Sequence, residues 1–331
     1  MRRILFVLLL SSPLVAKVVA QDESLPQLPK DDAIRVEEFY RVAPAIQDEL
    51  WPGWSRVPTP LMVVTQKAEF LTHHPAPPAE FKKIADDWYV RPRQFPVSFQ
   101  ATFPAFGPPS VIVIGEPANT ESKTSTPWIF TVMHEHFHQL QNAQPGYFDA
   151  VQGLGLNKGD TTGMWMLNYP FPYENPKVAH GFGELRDLLL RALAEKDDAS
   201  FEKLAREYIE QRSRFFTLFS TEDAKYFSFQ LWQEGIARYT QVKAAEASAR
   251  YQPTKEFAAL ADYQAFSDYA QAARAQTLDE LKRADLATWK RTVVYSFGAA
   301  EGFLLDRMHP NWRKNYFKRM FSMDSYFDRS R

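Results

Sequence analysis

The chain has 331 residues, no cysteine, and 39 lysines and arginines against 40 aspartates and glutamates, a formal net charge of −1. So even a balance gives no electrostatic reason to expect nucleic acid or an anionic lipid surface as partner. The missing thiols exclude disulfides and leave histidine and carboxylate to hold any metal. Hydrophobic residues at 45% and aromatic residues at 15% suffice for a sizeable core, in one large unit or two lobes, and argue against disorder.

Residues 1–20 read as a signal peptide. Arg2 and Arg3 form a basic start, residues 4–10 a short apolar run, and Val18-Val19-Ala20 precede a cleavage point at Gln21. The run is too short for a comfortable membrane span, and no later segment has the length of one. Cleavage would remove Arg2, Arg3 and Lys17 and leave 36 basic against 40 acidic residues, a net charge of −4. The expected product is exported, periplasmic or secreted, with no integral membrane segment and, lacking cysteine, no lipidated cysteine anchor. Residues 21–32 are polar and proline-bearing and read as a flexible lead-in.

Residues 33–125 form the expected sheet-bearing N-terminal part. Val97-Ser98-Phe99-Gln100-Ala101-Thr102-Phe103 alternates apolar and polar side chains, the period of a half-buried strand. Residues 61–65 and 111–114 are short β-branched-rich runs bounded by proline or glycine, which predicts two more strands. Helices are expected at 31–40 and 79–89.

Residues 126–331 form the expected mainly helical part, one catalytic unit with 33–125. Thr126 offers an N-cap, Pro127 stands where the first helical residue falls, and Pro145-Gly146 ends the helix. Inside it lies His134-Glu135-His136-Phe137-His138, an H-E-x-x-H sequence. At i and i+4 of a helix the His134 and His138 imidazoles share one face and can reach one ion. Glu135 lies one step round, placed to act as base on a water without being a ligand. This is the geometry of zinc-assisted hydrolysis. His136 points away from the pair.

Residues 146–180, rich in Gly, Pro, Asn and aromatics, read as a long irregular loop, a candidate lid or cleft wall. Apolar residues at three-to-four spacing predict helices at 184–196, 201–219, 222–247, 255–275 and 287–308, with a short last one at 310–323. A sheet-bearing front and a helical back give an α+β fold.

Catalytic zinc takes three protein ligands and a water. In a later predicted helix stands Leu231-Trp232-Gln233-Glu234-Gly235-Ile236-Ala237-Arg238-Tyr239. An acid there is costly to bury unless paired or metal-bound; the alternative is a solvated glutamate on an amphipathic helix. Here the chain resembles the gluzincins, zinc peptidases whose third ligand is a glutamate from a later helix. Glu234-Gly235-Ile236-Ala237 matches the E-G-x-A setting of their aminopeptidase branch, although Trp232 stands one residue nearer the acid than the tryptophan there. Val294-Tyr295-Ser296-Phe297-Gly298-Ala299-Ala300 is similar to the Y-x-x-G-A segment of the same enzymes. The resemblance implies a zincin-like fold, Zn2+ held by His134, His138 and Glu234, Glu135 as general base, and Tyr295 as donor to the oxyanion. It covers three short motifs between residues 126 and 308. Nothing matches the G-x-M-E-N segment that captures a substrate's amine, for which Glu116 could stand in, so the broad clan is implied and aminopeptidase specificity is not.

The expected function is that of an exported zinc-dependent peptidase acting on a peptide or protein substrate, with residues 111–114 as the edge strand that pairs with its main chain. The alternative is a non-catalytic exported metal-binding or peptide-binding protein on the same scaffold. Another amide or ester hydrolase, or a purely structural helical domain, also stays open. Of the other polar residues, His180 could line the cleft, Arg238 could meet a carboxylate or the oxyanion, and His73-His74 is expected at the surface.

Overall fold

The computed structural model describes residues 25–328, so the leader at 1–20 and the first part of the lead-in lie outside the described residues. Helix α1 (Lys30–Leu50) starts inside the expected lead-in and runs well past residue 40. Val36, Phe39, Val42, Ala43, Ile46 and Leu50 form a buried stripe at helical spacing that carries it through Pro44. A proline inside a helix removes a hydrogen bond and crowds the preceding turn, which is why the sequence reads as a shorter helix.

Six strands follow among the described residues: β1 (Leu61–Val64), β2 (Ala68–Thr72), β3 (Lys82–Ala85), β4 (Trp88–Pro92), β5 (Gln100–Phe103) and β6 (Val111–Gly115). They form one mixed sheet in the order β3-β4-β2-β1-β6-β5, in which β1 and β6 run parallel and the other pairs antiparallel. Alternate residues of β1 and β6 enter two cores. Leu61, Val63, Ile112 and Ile114 join the large core with α1 and with helix α2 (Ser125–Asn142). Met62, Val64, Val111 and Val113 meet Phe81 and the partly buried Phe95, Phe99, Phe103 and Phe106. Burial on both faces is what makes these runs continuously apolar.

Three segments here differ from expectation. The helix expected at 79–89 is the β3–β4 hairpin: Phe81, Ile84 and Trp88 mimic helical spacing, but Ile84 and Trp88 pack with Phe70 and Val90. Exposed Lys82 and Lys83 mark β3 as a charged sheet edge. Strand β2 goes unread because Glu69 interrupts its apolar run. That carboxylate is fully buried and accepts a 2.7 Å bond from Arg91 Nε. Residues 111–114 do form a strand, but β6 is paired to β1 on one side and β5 on the other, so its backbone is already used. The open edge beside α2 is β5.

Helix α2 packs on β5 and β6 and is buried over most of its length. Its N-cap is Thr124, not Thr126. Thr126 lies in the first turn with Oγ1 donating to Gln264 O at 2.6 Å, and Pro127 follows it, still where a missing N–H goes unneeded. Residues 146–180 are less irregular than expected, holding α3 (Tyr147–Gly153), α4 (Trp165–Asn168) and the start of α5 (Pro176–Ala194), which Asn175 caps. Then come α6 (Asp198–Phe216), α7 (Thr221–Gln230), α8 (Ile236–Ala247), α9 (Lys255–Ala258), α10 (Phe266–Arg283), α11 (Leu286–Trp289) and α12 (Val293–Met308). The stretches expected as single helices at 255–275 and 287–308 are thus each broken in two, and the last segment is a 3-10 turn, Trp312–Lys318. The fold is α+β with a mainly helical C-terminal part. Among the described residues no helix is long and apolar enough to cross a membrane.

Candidate metal centre

His134 and His138 stand one turn apart on α2, their Nε2 atoms 3.2 Å apart. Glu234 reaches them from far along the chain, with Oε2 3.4 Å from His138 Nε2 and 3.7 Å from His134 Nε2. A tetrahedral ion bound at about 2.0–2.2 Å separates its ligand atoms by about 3.3–3.6 Å. The three separations straddle that edge length, and all three donors offer one atom within 4.8 Å of the others. Two imidazoles and a carboxylate suit a divalent first-row ion, so the residues present could hold a metal.

What brings Glu234 there is a local departure from the α-helix. Between α7 and α8 the chain widens into a π turn, Leu231–Gly235. Such a turn holds one extra residue and leaves carbonyls that need partners outside the ladder. Gln141 of α2 supplies them: its Nε2 donates to Trp232 O at 3.2 Å and Gln233 O at 3.1 Å. On the other side α12 crosses backbone to backbone. A Cβ on Gly235 would lie 2.6 Å from Gly298 Cα, and one on Gly298 equally close to Gly235 Cα.

Gln141 also orients an imidazole. Its Nε2 faces the two carbonyls and Tyr316 Oη at 2.8 Å, so Oε1 is the atom 2.6 Å from His138 Nδ1. Whenever this imidazole is neutral, the Gln141 bond favours the proton on Nδ1, against Gln233 Nε2 at 3.1 Å from the same atom, and leaves Nε2 facing Glu234 in the pocket. His136 has Gln139 at the same spacing, Nδ1 to Oε1 at 2.9 Å, but faces away and stacks on Trp54 at 4.9 Å. Burial pushes it down to about 4, against the bond to Gln139.

The charges of the three donors settle as a pair. Burial opposes the charge on Glu234, but the bonds from His134 and His138 hold its carboxyl well below the usual range. Burial also opposes charge on His138, and Glu234 outweighs it, raising that imidazole to about 9. Burial keeps His134 low. The pocket thus draws one positive charge towards its carboxylate.

Around the three donors stand other polar side chains. Glu135 Oε2 accepts from Thr102 Oγ1 at 2.8 Å and Oε1 from Gln100 Nε2 at 3.3 Å, so β5 holds this carboxylate. Tyr295, on α12, lies with its ring 6.0 Å from that of His134, centroid to centroid. Arg291 Nη2 donates to the Tyr295 hydroxyl at 3.3 Å, and its Nη1 is 3.7 Å from Glu234 Oε1. Gln141, Arg291, Gln100 and Thr102 escape a reading of the sequence. A glutamine three residues after each of His136 and His138 was a usable sign for Gln141. A single arginine and the polar face of a strand carry no such sign.

Other sequence candidates lie elsewhere. His180 is on α5, its side chain 77% exposed beside Glu184. His73 is exposed, but His74 is buried against Phe106 rather than at the surface. Glu116 bonds Asn119 and adjoins Asp32. Arg238 sits 4.0 Å from Glu280 and faces the Tyr295 ring at 5.8 Å. No family model, curated protein or solved structure matches the chain.

Proposed function

We propose that the protein is a zinc-dependent peptidase of the gluzincin type, exported with loss of residues 1–20. The observation that carries this reading is the meeting of Glu234 Oε2 with the paired imidazoles, while Glu135 stays outside the ligand set and is held from the open edge strand. His134, His138 and Glu234 would hold Zn2+, which when bound supplies an acidified water and a Lewis acid for a carbonyl. Glu135 would take the proton of the attacking water and pass it to the leaving amine. Thr102 and Gln100 favour that role by bonding the carboxylate and fixing its direction. Tyr295 would donate to the oxyanion as it forms. Strand β5 would pair with an extended peptide along its free edge.

The second reading, a non-catalytic metal-binding or peptide-binding protein, draws on the same Glu135. Both its oxygens already have partners and the residue is 3% exposed. Zinc content and cleavage of a broad peptide library, each with and without chelator, separate the two. The peptidase holds about one zinc per chain, cleaves in a chelator-sensitive way, and loses cleavage by about three orders of magnitude in Glu135→Gln with its zinc retained. Stoichiometric metal without any cleavage selects the second reading. Cleavage by Glu135→Gln at the parent rate removes Glu135 as base.

A further inference from the structure

Arg291 precedes α12 with its side chain 18% exposed and its guanidinium braced from behind. Nη1 donates to Gln230 Oε1 at 3.3 Å, and Gln230 Nε2 donates to Met166 O at 2.9 Å, so α7 and α4 fix its place. The same Nη1 faces Glu234 Oε1 at 3.7 Å, and Nη2 donates to the Tyr295 hydroxyl at 3.3 Å. We propose that Arg291 is a positioning residue: it keeps Glu234 to one oxygen towards the imidazoles and turns the Tyr295 hydroxyl proton outward. This rests on the peptidase reading of the same site.

A guanidinium only donates. Towards Glu234, it draws Oε1 to itself while Oε2 faces the two Nε2 atoms. A carboxylate divided in this way offers one ligand atom and leaves a position open for water. Towards Tyr295, it makes the hydroxyl oxygen an acceptor, so the hydroxyl's own proton is free for a second acceptor. The ring is steadied as well, with the Arg291 and Arg238 guanidinium carbons 5.4 Å and 5.8 Å from its centroid. A lysine would carry the charge without the two-armed fork that spans both partners.

The test uses the full-length protein, loaded with zinc for kinetics on a library-derived peptide and with cobalt(II) for visible absorption. Arg291→Met should lower kcat about tenfold or more with KM within about twofold, and the same change should cost clearly less in a Tyr295→Phe background. Its cobalt(II) absorption should weaken, as Glu234 closes with both oxygens and the site gains a ligand atom. Arg291→Lys should show both effects in milder form, and it stands in if the methionine variant does not fold. An unchanged kcat, or an equal loss in both backgrounds with an unchanged cobalt spectrum, overturns the role of Arg291 and leaves the peptidase reading intact. A parent that binds cobalt but cleaves nothing overturns the peptidase reading, and the spectrum alone then decides whether Arg291 governs Glu234. A parent that binds no metal ends both.

Discussion

Three histidines on one helix have three different surroundings, and which face each occupies decides its chemistry. His134 and His138 meet Glu234, whereas His136 lies between Trp54, Gln139 and Gln47 with no charge to offset its burial. Its value near 4 in the folded chain compares with about 6.5 when unfolded. Between those values the unfolded chain carries a proton that the folded chain lacks, so this residue makes stability fall as pH drops from about 6.5 to 4. The slope it adds is at most about 1.4 kcal/mol per pH unit. His136→Phe keeps a ring against Trp54 and should be less stable than the parent at pH 7, because Gln139 and Gln47 lose a partner. Its stability should nevertheless decline less steeply with acid. Urea denaturation at several pH values between 4.5 and 7 measures both; parallel pH profiles would mean that His136 is charged in the folded chain.

At the level of elements, the site depends on a point where the π turn and α12 meet backbone to backbone, at Gly235 and Gly298. A methyl group on Gly298 would meet Gly235 Cα at 2.6 Å and Leu231 O at 3.2 Å, all of it backbone that cannot step aside cheaply. Gly298→Ala should therefore cost about 1–3 kcal/mol of stability and weaken zinc binding by shifting the π turn that carries Glu234. Gly183→Ala on α5 is the control: nothing lies within 4 Å of the added carbon, and alanine suits a helix, so stability should hold or rise by up to about 1 kcal/mol. Chelator competition and denaturant titration of both variants check the contrast, and equal effects would sink it. The same crossing shows what a sequence can and cannot disclose. H-E-x-x-H, E-G-x-A and the segment around Tyr295 were legible because each is a dense local pattern, and the apolar runs of β1 and β6 were legible because both their faces are covered. The π turn was not, since a widened turn leaves the apolar spacing almost unaltered. The hairpin of β3 and β4 reads as a helix because pairing with β2, itself hidden by inward Glu69, is a long-range fact. The edge position of β5 follows from strand order, which no single strand records.

At the scale of the whole molecule, a bound metal would act as a cross-link between distant parts of the chain. Two donors come from α2, which lies on the sheet, and the third from the π turn inside the helical part. Gln141 ties these pieces through Trp232 O and Gln233 O, so the fold itself holds the donors together and unfolding parts them. An ion that binds the folded chain alone stabilises it by mass action, by about 2.7 kcal/mol at a free concentration 100 times Kd. Thermal unfolding at fixed protein concentration should thus move up by several degrees as free zinc rises and fall back with chelator. Glu234→Gln should show little of this response, because the neutral amide loses the charge and keeps only a weaker carbonyl oxygen to offer beside the imidazoles. Should the midpoint stay constant across the zinc series in the parent, the three donors do not close on an ion in the folded chain, and the hydrolytic chemistry assigned to Glu135 loses its premise.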